Sequence, residues 1–367
     1  MPRHQQASRQ SSRQSPERTS FHYEAEIFEG LESIVIEELR ARFGVRISLR
    51  PAPRPDAIAF DYDGDLDDLL DLRSVVAVHL VGHFDVPRPK ALLGHEHFER
   101  LIEMIQITRS LWSPRSFETF KVSAAGEDSS VMARLKTELE QRIGLRPDPD
   151  EGDLLLRIRR GRVGWEALVR LSPRPLATRP WRVCNLPGAL NGAVAHAMLQ
   201  LTQPRPDDRV LNIMCGSGTL LIERLALASA QNAIGCDIDP AALACAAENL
   251  NAASGHEIPE DEAERARLEG WDATDTPLAD RCVDVICADL PFGQLIGSHR
   301  ENEALYPRIF AEASRIAASR ARMVLITHEV RLLEQVADQY RDVWRLDTVL
   351  RVRVGGMAPR VYLFIRY

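Results

Sequence analysis

From Tyr23 to Phe28 apolar and polar side chains alternate, the period of a half-buried strand; after Gly30, Leu31, Ile34, Val35 and Leu39 recur at helical spacing. Strand patterns return over Val45–Leu49 and Ala57–Phe60, a short helix is expected over Leu66–Leu72, and a strand over Ser74–Phe84. The order β, α, β, β, α, β reads as a ferredoxin-like unit. Beyond it the spacing predicts a helix over His95–Ser110, a strand over Ser116–Ser123 and an amphipathic helix over Ser130–Gly144. Leu154–Arg160 and Gly164–Leu171 read as a hairpin that turns at Arg160-Gly161-Arg162. The prolines between Ser172 and Trp181 mark a linker.

Past Trp181 the pattern changes to strands and helices in alternation. Strands are expected at Arg209–Ile213, Asn232–Asp237, Val283–Ala288 and Met323–Thr327. Helices are expected at Ala189–Leu199, Leu220–Ala230, Pro240–Ala252, Asn302–Ser319 and Val330–Gln339. Trp344–Val354 and Val361–Arg366 close the chain as an antiparallel pair. Such alternation predicts an α/β fold, a doubly wound Rossmann-like sheet with antiparallel last strands, whose ligand lies at the carboxyl ends of the strands.

Composition changes this picture in three places. Residues 1–20 are rich in Ser, Gln and Arg with few apolar side chains, and are expected to be a disordered tail. No run reaches the length of a membrane span and no apolar signal core opens the chain, so a cytoplasmic location is expected. The net charge of −7 hides a basic stretch, since residues 108–182 hold 15 basic and 10 acidic side chains. The six cysteines, at 184, 215, 236, 245, 282 and 287, form no Cys-x-x-Cys pair. Neither a disulfide framework nor a metal site is expected from them.

Three strand ends carry candidate chemistry. Asn212-Ile213-Met214-Cys215-Gly216-Ser217-Gly218-Thr219 runs from a strand through a glycine turn into a helix, where backbone can approach a ligand. It is neither the Gly-x-Gly-x-x-Gly of dinucleotide folds nor a P-loop. Asp237, in Asp237-Ile238-Asp239-Pro240, ends the next strand, where a carboxylate can accept both hydroxyls of a ribose. One strand further, Asp272 beside Ala273 can accept from an adenine amine. Beyond these three, Cys287-Ala288-Asp289-Leu290-Pro291-Phe292-Gly293 sets a carboxylate, a proline and an aromatic in consecutive reach. Chemistry on a flat, amine-bearing base needs such a set: Asp289 accepts from the amine, Pro291 turns carbonyls inward and Phe292 supports the ring.

With these motifs the chain resembles the THUMP-containing RNA guanine N2-methyltransferases over nearly all but its tail. The run Asp289-Leu290-Pro291-Phe292-Gly293, followed by Gly297-Ser298 and Leu305-Tyr306-Pro307, is most similar to the branch acting on guanosine 6 in the acceptor stem of tRNA. The resemblance implies a ferredoxin-like domain over 21–92, a THUMP RNA-binding domain over 93–172, a linker over 173–182 and a methyltransferase domain over 183–367. It implies S-adenosylmethionine as cofactor. Cys215 to Thr219 would line its methionine end, with Asn212 and Met214 beside them. Asp237 and Ile238 would take the ribose, Asp272 and Ala273 the adenine, and Asn185 to Leu190 would close the pocket. Asp289, with the backbone of Leu290 and Pro291, would hold the guanine amine, and Phe292 would stack on the base. The family usually has aspartate where this chain has Asn212, which brings no charge to the cofactor's ammonium.

For RNA phosphates the candidates are Lys121, Arg134, Lys136, Arg157, Arg159, Arg160 and Arg162. tRNA is the expected partner, with no membrane and no metal, and the chain is expected to be a monomer. Two rival readings stand beside this one. One is a non-catalytic RNA-binding relative whose cofactor pocket has decayed, on the evidence of Asn212. The other is a methyltransferase of the same fold acting on ribosomal or other RNA, DNA or protein.

Overall fold

The computed structural model describes residues 21–291 and 299–367. The first half begins with β1 (His22–Glu26), α1 (Glu32–Phe43), β2 (Ile47–Leu49), β3 (Ala57–Tyr62) and β4 (Ala77–Phe84). It continues through α2 (His95–Ser110), β5 (Thr119–Ala124), α3 (Ser130–Ile143), β6 (Arg146–Pro147), β7 (Leu154–Arg160) and β8 (Trp165–Arg170). The helix expected over Leu66–Leu72 is a tighter 3-10 helix over Leu66–Asp71. α3 shows why its ends fall where they do: the Ser129 hydroxyl accepts from the Met132 N–H, and Gly144 leaves the helix at φ 70°.

These strands form one eight-stranded sheet in the order β2-β3-β1-β4-β8-β7-β5-β6. β4 pairs antiparallel with β8, from His79 opposite Arg170 to Phe84 opposite Trp165. The ladder therefore runs without a break from the β1–β4 stretch into the basic one.

The second half holds α4 (Gly192–Leu201), β9 (Arg209–Ile213), α5 (Thr219–Leu227), β10 (Asn232–Cys236), α6 (Pro240–Ala253), α7 (Glu260–Arg265) and β11 (Ala266–Glu269). It ends with β12 (Val283–Asp289), α8 (His299–Ile316), β13 (Ala317–Thr327), α9 (Val330–Gln339), β14 (Trp344–Arg351) and β15 (Arg360–Arg366). Their sheet has the order β11-β10-β9-β12-β13-β15-β14, parallel through β13 and antiparallel at β15 and β14. The chain reverses direction of winding between β9 and β12, and a crevice opens at the carboxyl ends of such a pair. Among the described residues no helix is long and apolar enough to cross a membrane.

The proline-marked segment 172–181 is packed, not loose. Ala177 donates its N–H to the Val76 carbonyl at 3.1 Å, Arg179 is buried, and Trp181 inserts among Val210, Leu221 and Ile222. What draws it in is Glu223 on α5, a carboxylate with no exposure. Arg179 donates to it through Nε at 2.7 Å, Arg73 through Nη2 at 3.0 Å, and His196 Nδ1 of α4 lies 3.2 Å away. Arg179 also donates to the Arg73 carbonyl at 2.6 Å. Burial alone would raise the Glu223 carboxyl, but Arg179, His196 and Arg73 outweigh it and hold the group well below the usual carboxylate range.

A second junction lies at Gly30, at φ 101°, where an added Cβ would fall 1.9 Å from the Arg351 carbonyl. The Arg353 N–H donates to the Glu29 carbonyl at 2.9 Å, so the β14–β15 hairpin rests on the turn after β1.

Replacing Glu223 by Gln leaves the buried Arg179 guanidinium without its counter-charge and Arg73 with Glu257 alone. Stability should fall by about 3–5 kcal/mol at neutral pH, read from urea unfolding. Because the folded carboxyl titrates below its unfolded value, this contribution is complete above about pH 4.5 and is lost as pH falls further, so the gap between E223Q and wild type should narrow in acid. Equal midpoints at pH 7 would remove Glu223 from its role as the junction.

Candidate functional site

The crevice is built on β9, β10 and β12. After β9 the chain passes Met214 at φ 51° and Gly216 at φ 54°, then Gly218 at φ 80° at the start of α5. Gly218 permits a close approach: a Cβ there would sit 3.2 Å from the Ala246 Cβ of α6. Asp237, just past β10, stiffens the turn by accepting the Gly216 N–H at 2.9 Å and the Asp239 N–H at 3.0 Å. Asp239 then caps α6 by accepting from Ala241 at 2.9 Å.

A cavity of about 350 Å³ opens over this turn. Asn212, Met214, Cys215, Gly216, Ser217, Thr219, Asp237, Ile238, Asp289, Leu290 and Pro291 all line it, and Leu186 to Leu190 form its other wall. Ile238 projects at the rim with 75% of its surface exposed, an apolar face beside a polar floor. Gly218 shapes the turn from behind. Asp272 does not line the cavity, nor does Ala273, which is buried in the neighbouring core. Asp272 is exposed and accepts from the N–H and hydroxyl of Thr274, which hold its carboxyl below the usual range. Phe292 lies outside the described residues.

Asn212 is buried, and its Nδ2 donates to the carbonyls of Ile213 at 3.2 Å and Cys287 at 3.1 Å. Its Oδ1 has no partner among the described residues. That leaves a desolvated acceptor in the cavity wall, which fits a cationic donor such as an ammonium.

At the far side of the floor Asp289 ends β12, opposite Ile326 of β13. Burial pushes its carboxyl up to about 7, with no cation to offset the cost. The turn that follows is held from behind by α8: Asn302 Nδ2 donates to the Pro291 carbonyl at 2.9 Å and the Tyr306 hydroxyl at 2.7 Å. Both side chains are polar positions on an otherwise buried helix face with Ile309, Phe310 and Ala313. That misfit in an apolar stripe is the signal in the sequence that marks them.

The expectation of no disulfide is corrected. Cys184 and Cys245 are bonded, with Cα atoms 5.4 Å apart. A separation of 61 residues conceals the pair in the sequence, and α6 brings Cys245 under the segment that enters the cavity wall. Asn249, one turn along α6, accepts from the Cys184 N–H and donates to the Cys184 carbonyl, both at 2.9 Å, and to the Ser217 carbonyl at 3.0 Å. Arg182 ties the other end of the wall, donating to the Leu190 carbonyl at 2.7 Å and the Thr219 hydroxyl at 2.9 Å. Of the remaining cysteines, burial pushes the Cys236 and Cys287 thiols up to about 12, so they are inert core groups.

The basic candidates lie on the first sheet and its helix. Lys121 and Arg157 line a separate cavity with Arg170 and Arg174. Arg159 is engaged by Glu24 at 2.6 Å and Glu166 at 2.8 Å, and Arg157 by Glu26 at 3.1 Å. Arg160 lies over the Trp165 ring near the hairpin turn that carries Arg162, while Arg134 and Lys136 sit on α3. Among the described residues no cluster of three or more His, Cys, Asp or Glu could hold a metal ion.

Strand order, glycine turn and a cavity between β9 and β12 together define a Rossmann-like fold with a ligand crevice at its switch point. Residues 179–360 match the family model of the RMKL-like methyltransferase domain. It is 34% identical over 185 residues to human tRNA (guanine(6)-N(2))-methyltransferase THUMP3, a match covering 49% of this chain and 36% of that one. The chain thus spans little more than a third of that relative's length. A tRNA (guanine(6)-N2)-methyltransferase of Thermus thermophilus is 27% identical over 352 residues, covering 93% of this chain and 98% of the relative. The crystal structure of TrmN from Thermus thermophilus shares the fold, with a TM-score of 0.73 at 24% identity over 95% of this chain and all of that one.

Two measurements follow from this geometry. Cys184→Ser opens a loop of some sixty residues in the unfolded chain, and stability under non-reducing conditions should fall by about 4 kcal/mol. An unchanged melting temperature would show the bridge to be energetically idle. Asp289→Asn should raise the melting temperature by a few degrees at pH 8 and leave it unchanged near pH 4, since the buried carboxylate weighs against folding only as pH rises from its unfolded value toward 7.

Proposed function

We propose that the chain transfers a methyl group from S-adenosylmethionine to the exocyclic N2 of guanosine in tRNA, with guanosine 6 of the acceptor stem as its target. The observation that carries this reading is Asp289, a buried carboxyl with no cation beside it among the described residues, lining the cavity with Leu290 and Pro291. The names of the relatives agree with it: both are tRNA guanine N2-methyltransferases.

The cavity residues suit the cofactor piece by piece. Asn212 Oδ1 is placed to accept from the ammonium of the methionine end, which answers the missing charge with a hydrogen bond. Asp237 takes the ribose hydroxyls with the lone pairs that Gly216 and Asp239 leave free. Ile238 gives the adenine an apolar face. The bound cofactor supplies a methyl group that its sulfonium already activates.

The remaining chemistry belongs to the chain. The guanine amine is a weak nucleophile because its lone pair is shared with the ring. Asp289 accepts one amine N–H, orients N2, and takes up the positive charge and then the proton that the new C–N bond forces off. A carboxyl near 7 suits that task at neutral pH. The basic side chains Lys121, Arg134, Lys136, Arg157, Arg160 and Arg162 hold RNA phosphates by charge and shape, with Arg159 serving the sheet more than the RNA. The decayed-pocket reading is disfavoured by a cavity whose lining keeps Asn212, Asp237 and Asp289 together.

The test is transfer of labelled methyl to unmodified tRNA transcripts, followed by nucleoside mass spectrometry. N2-methylguanosine should appear, and a transcript with guanosine 6 replaced should lose it. Methylation of other RNA alone would move the substrate, and no transfer to any RNA would overturn the reading. Asp289→Ala should lower kcat at least 100-fold. In the wild type kcat/KM should rise with pH through about 7 and then level off, because only the ionised carboxylate accepts the proton.

A further inference from the structure

The turn that follows Asp289 is held by a hydrogen-bond chain whose direction is fixed by proton count. Tyr306 has one hydroxyl proton, and it goes to the Pro291 carbonyl at 2.7 Å. The 2.7 Å contact between Tyr306 and the Thr327 hydroxyl must then be a donation from Thr327. Thr327 in turn accepts the Glu329 N–H at 2.9 Å. The chain therefore runs from the Glu329 amide through Thr327 and Tyr306 to Pro291, each donor polarised by the one behind it. Asn302 adds a second donor to the same carbonyl at 2.9 Å.

Tyr306 and Thr327 have no exposed surface and Asn302 has 1%. Two of these buried side chains, Asn302 and Tyr306, meet at the Pro291 carbonyl with Thr327 behind Tyr306, in a segment already tied by the Leu290 N–H to Ile326 at 3.0 Å. An apolar contact would fill the same space at lower risk of an unmet polar group. The arrangement has a chemical result instead. Both lone pairs of the Pro291 carbonyl are occupied, so that carbonyl is not available to a substrate amine. Leu290 is left to supply the backbone acceptor beside Asp289.

We propose that Tyr306, Thr327 and Asn302 are positioning residues for methyl transfer: by saturating the Pro291 carbonyl they fix the peptide planes of the turn and assign the second amine acceptor to Leu290. The role rests on the guanosine N2 reading above. It concerns the orientation of the acceptors and leaves cofactor binding alone.

The test separates these effects in the full-length protein. Tyr306→Phe keeps the ring and removes the hydroxyl that ends the chain; kcat for tRNA methylation should fall at least 10-fold while the affinity for S-adenosylhomocysteine, by calorimetry, stays within twofold. Thr327→Val should lower kcat several-fold, and Thr327→Ser should restore it. Hydrogen exchange of the peptide holding Leu290 should speed up in Tyr306→Phe with exchange elsewhere unchanged. If Tyr306→Phe does not fold, the Thr327 pair carries the same comparison. A kcat within twofold of wild type in Tyr306→Phe and in Thr327→Val, or a loss matched by equal loss of cofactor affinity, overturns the proposal. If the wild type methylates no RNA, the functional reading falls, and unchanged exchange at Leu290 in the variant then overturns the positioning role by itself.

Discussion

Glu223 is the residue on which the two halves of the chain depend. It sits on α5, the helix whose first turn forms the glycine floor of the cavity, and it draws in Arg73 from the first half and Arg179 from the connecting segment. Arg73 is itself placed by Glu38 of α1, which accepts its N–H at 2.9 Å and that of Ser74 at 3.0 Å. One desolvated carboxylate thus ties the eight-stranded sheet, the connector and the cavity floor into a single arrangement. A buried charge of this kind is costly unless all its partners are in place, so it disfavours every other docking of the two halves.

Asp289 shows the opposite use of the same physics. Burial raises both carboxyls, yet Glu223 is surrounded by guanidinium groups and Asp289 faces none. The first is spent on architecture and stays ionised; the second is kept near neutrality and can exchange a proton at ordinary pH. The cavity floor therefore carries a local cost to folding, which the surrounding β12–β13 ladder and the Pro291 contacts hold in place.

Much of this was legible in the chain. Helix limits at His95–Ser110 and Val330–Gln339, and the strands Arg209–Ile213 and Leu154–Arg160, follow from apolar period alone because each packs one face on a core. The strand-end motifs located the cavity, since loops at the switch point must carry its ligands. What escaped was set by partners far away in sequence. The short β6 and β11 have too few residues to show a period. The Cys184–Cys245 pair depends on how α6 lies against the cavity wall. Asp272 has the right residue type at a strand end, but it turns to Thr274 instead of the cavity, a local choice that residue order does not encode. Asn302 opens an expected helix and Tyr306 lies in the Leu305-Tyr306-Pro307 run, and only the fold reveals that both meet Pro291.

The contact at Gly30 has a consequence for scale. Because no side chain fits between that turn and the Arg351 carbonyl, the hairpin of β14 and β15 meets the first half at backbone distance. With Glu223 at one junction and Gly30 at another, the halves are pinned at two separated points, which removes translation and every rotation except that about the line joining them. The chain then behaves as a caliper of fixed span, in which the distance from the first sheet to the cavity is a property of the fold itself.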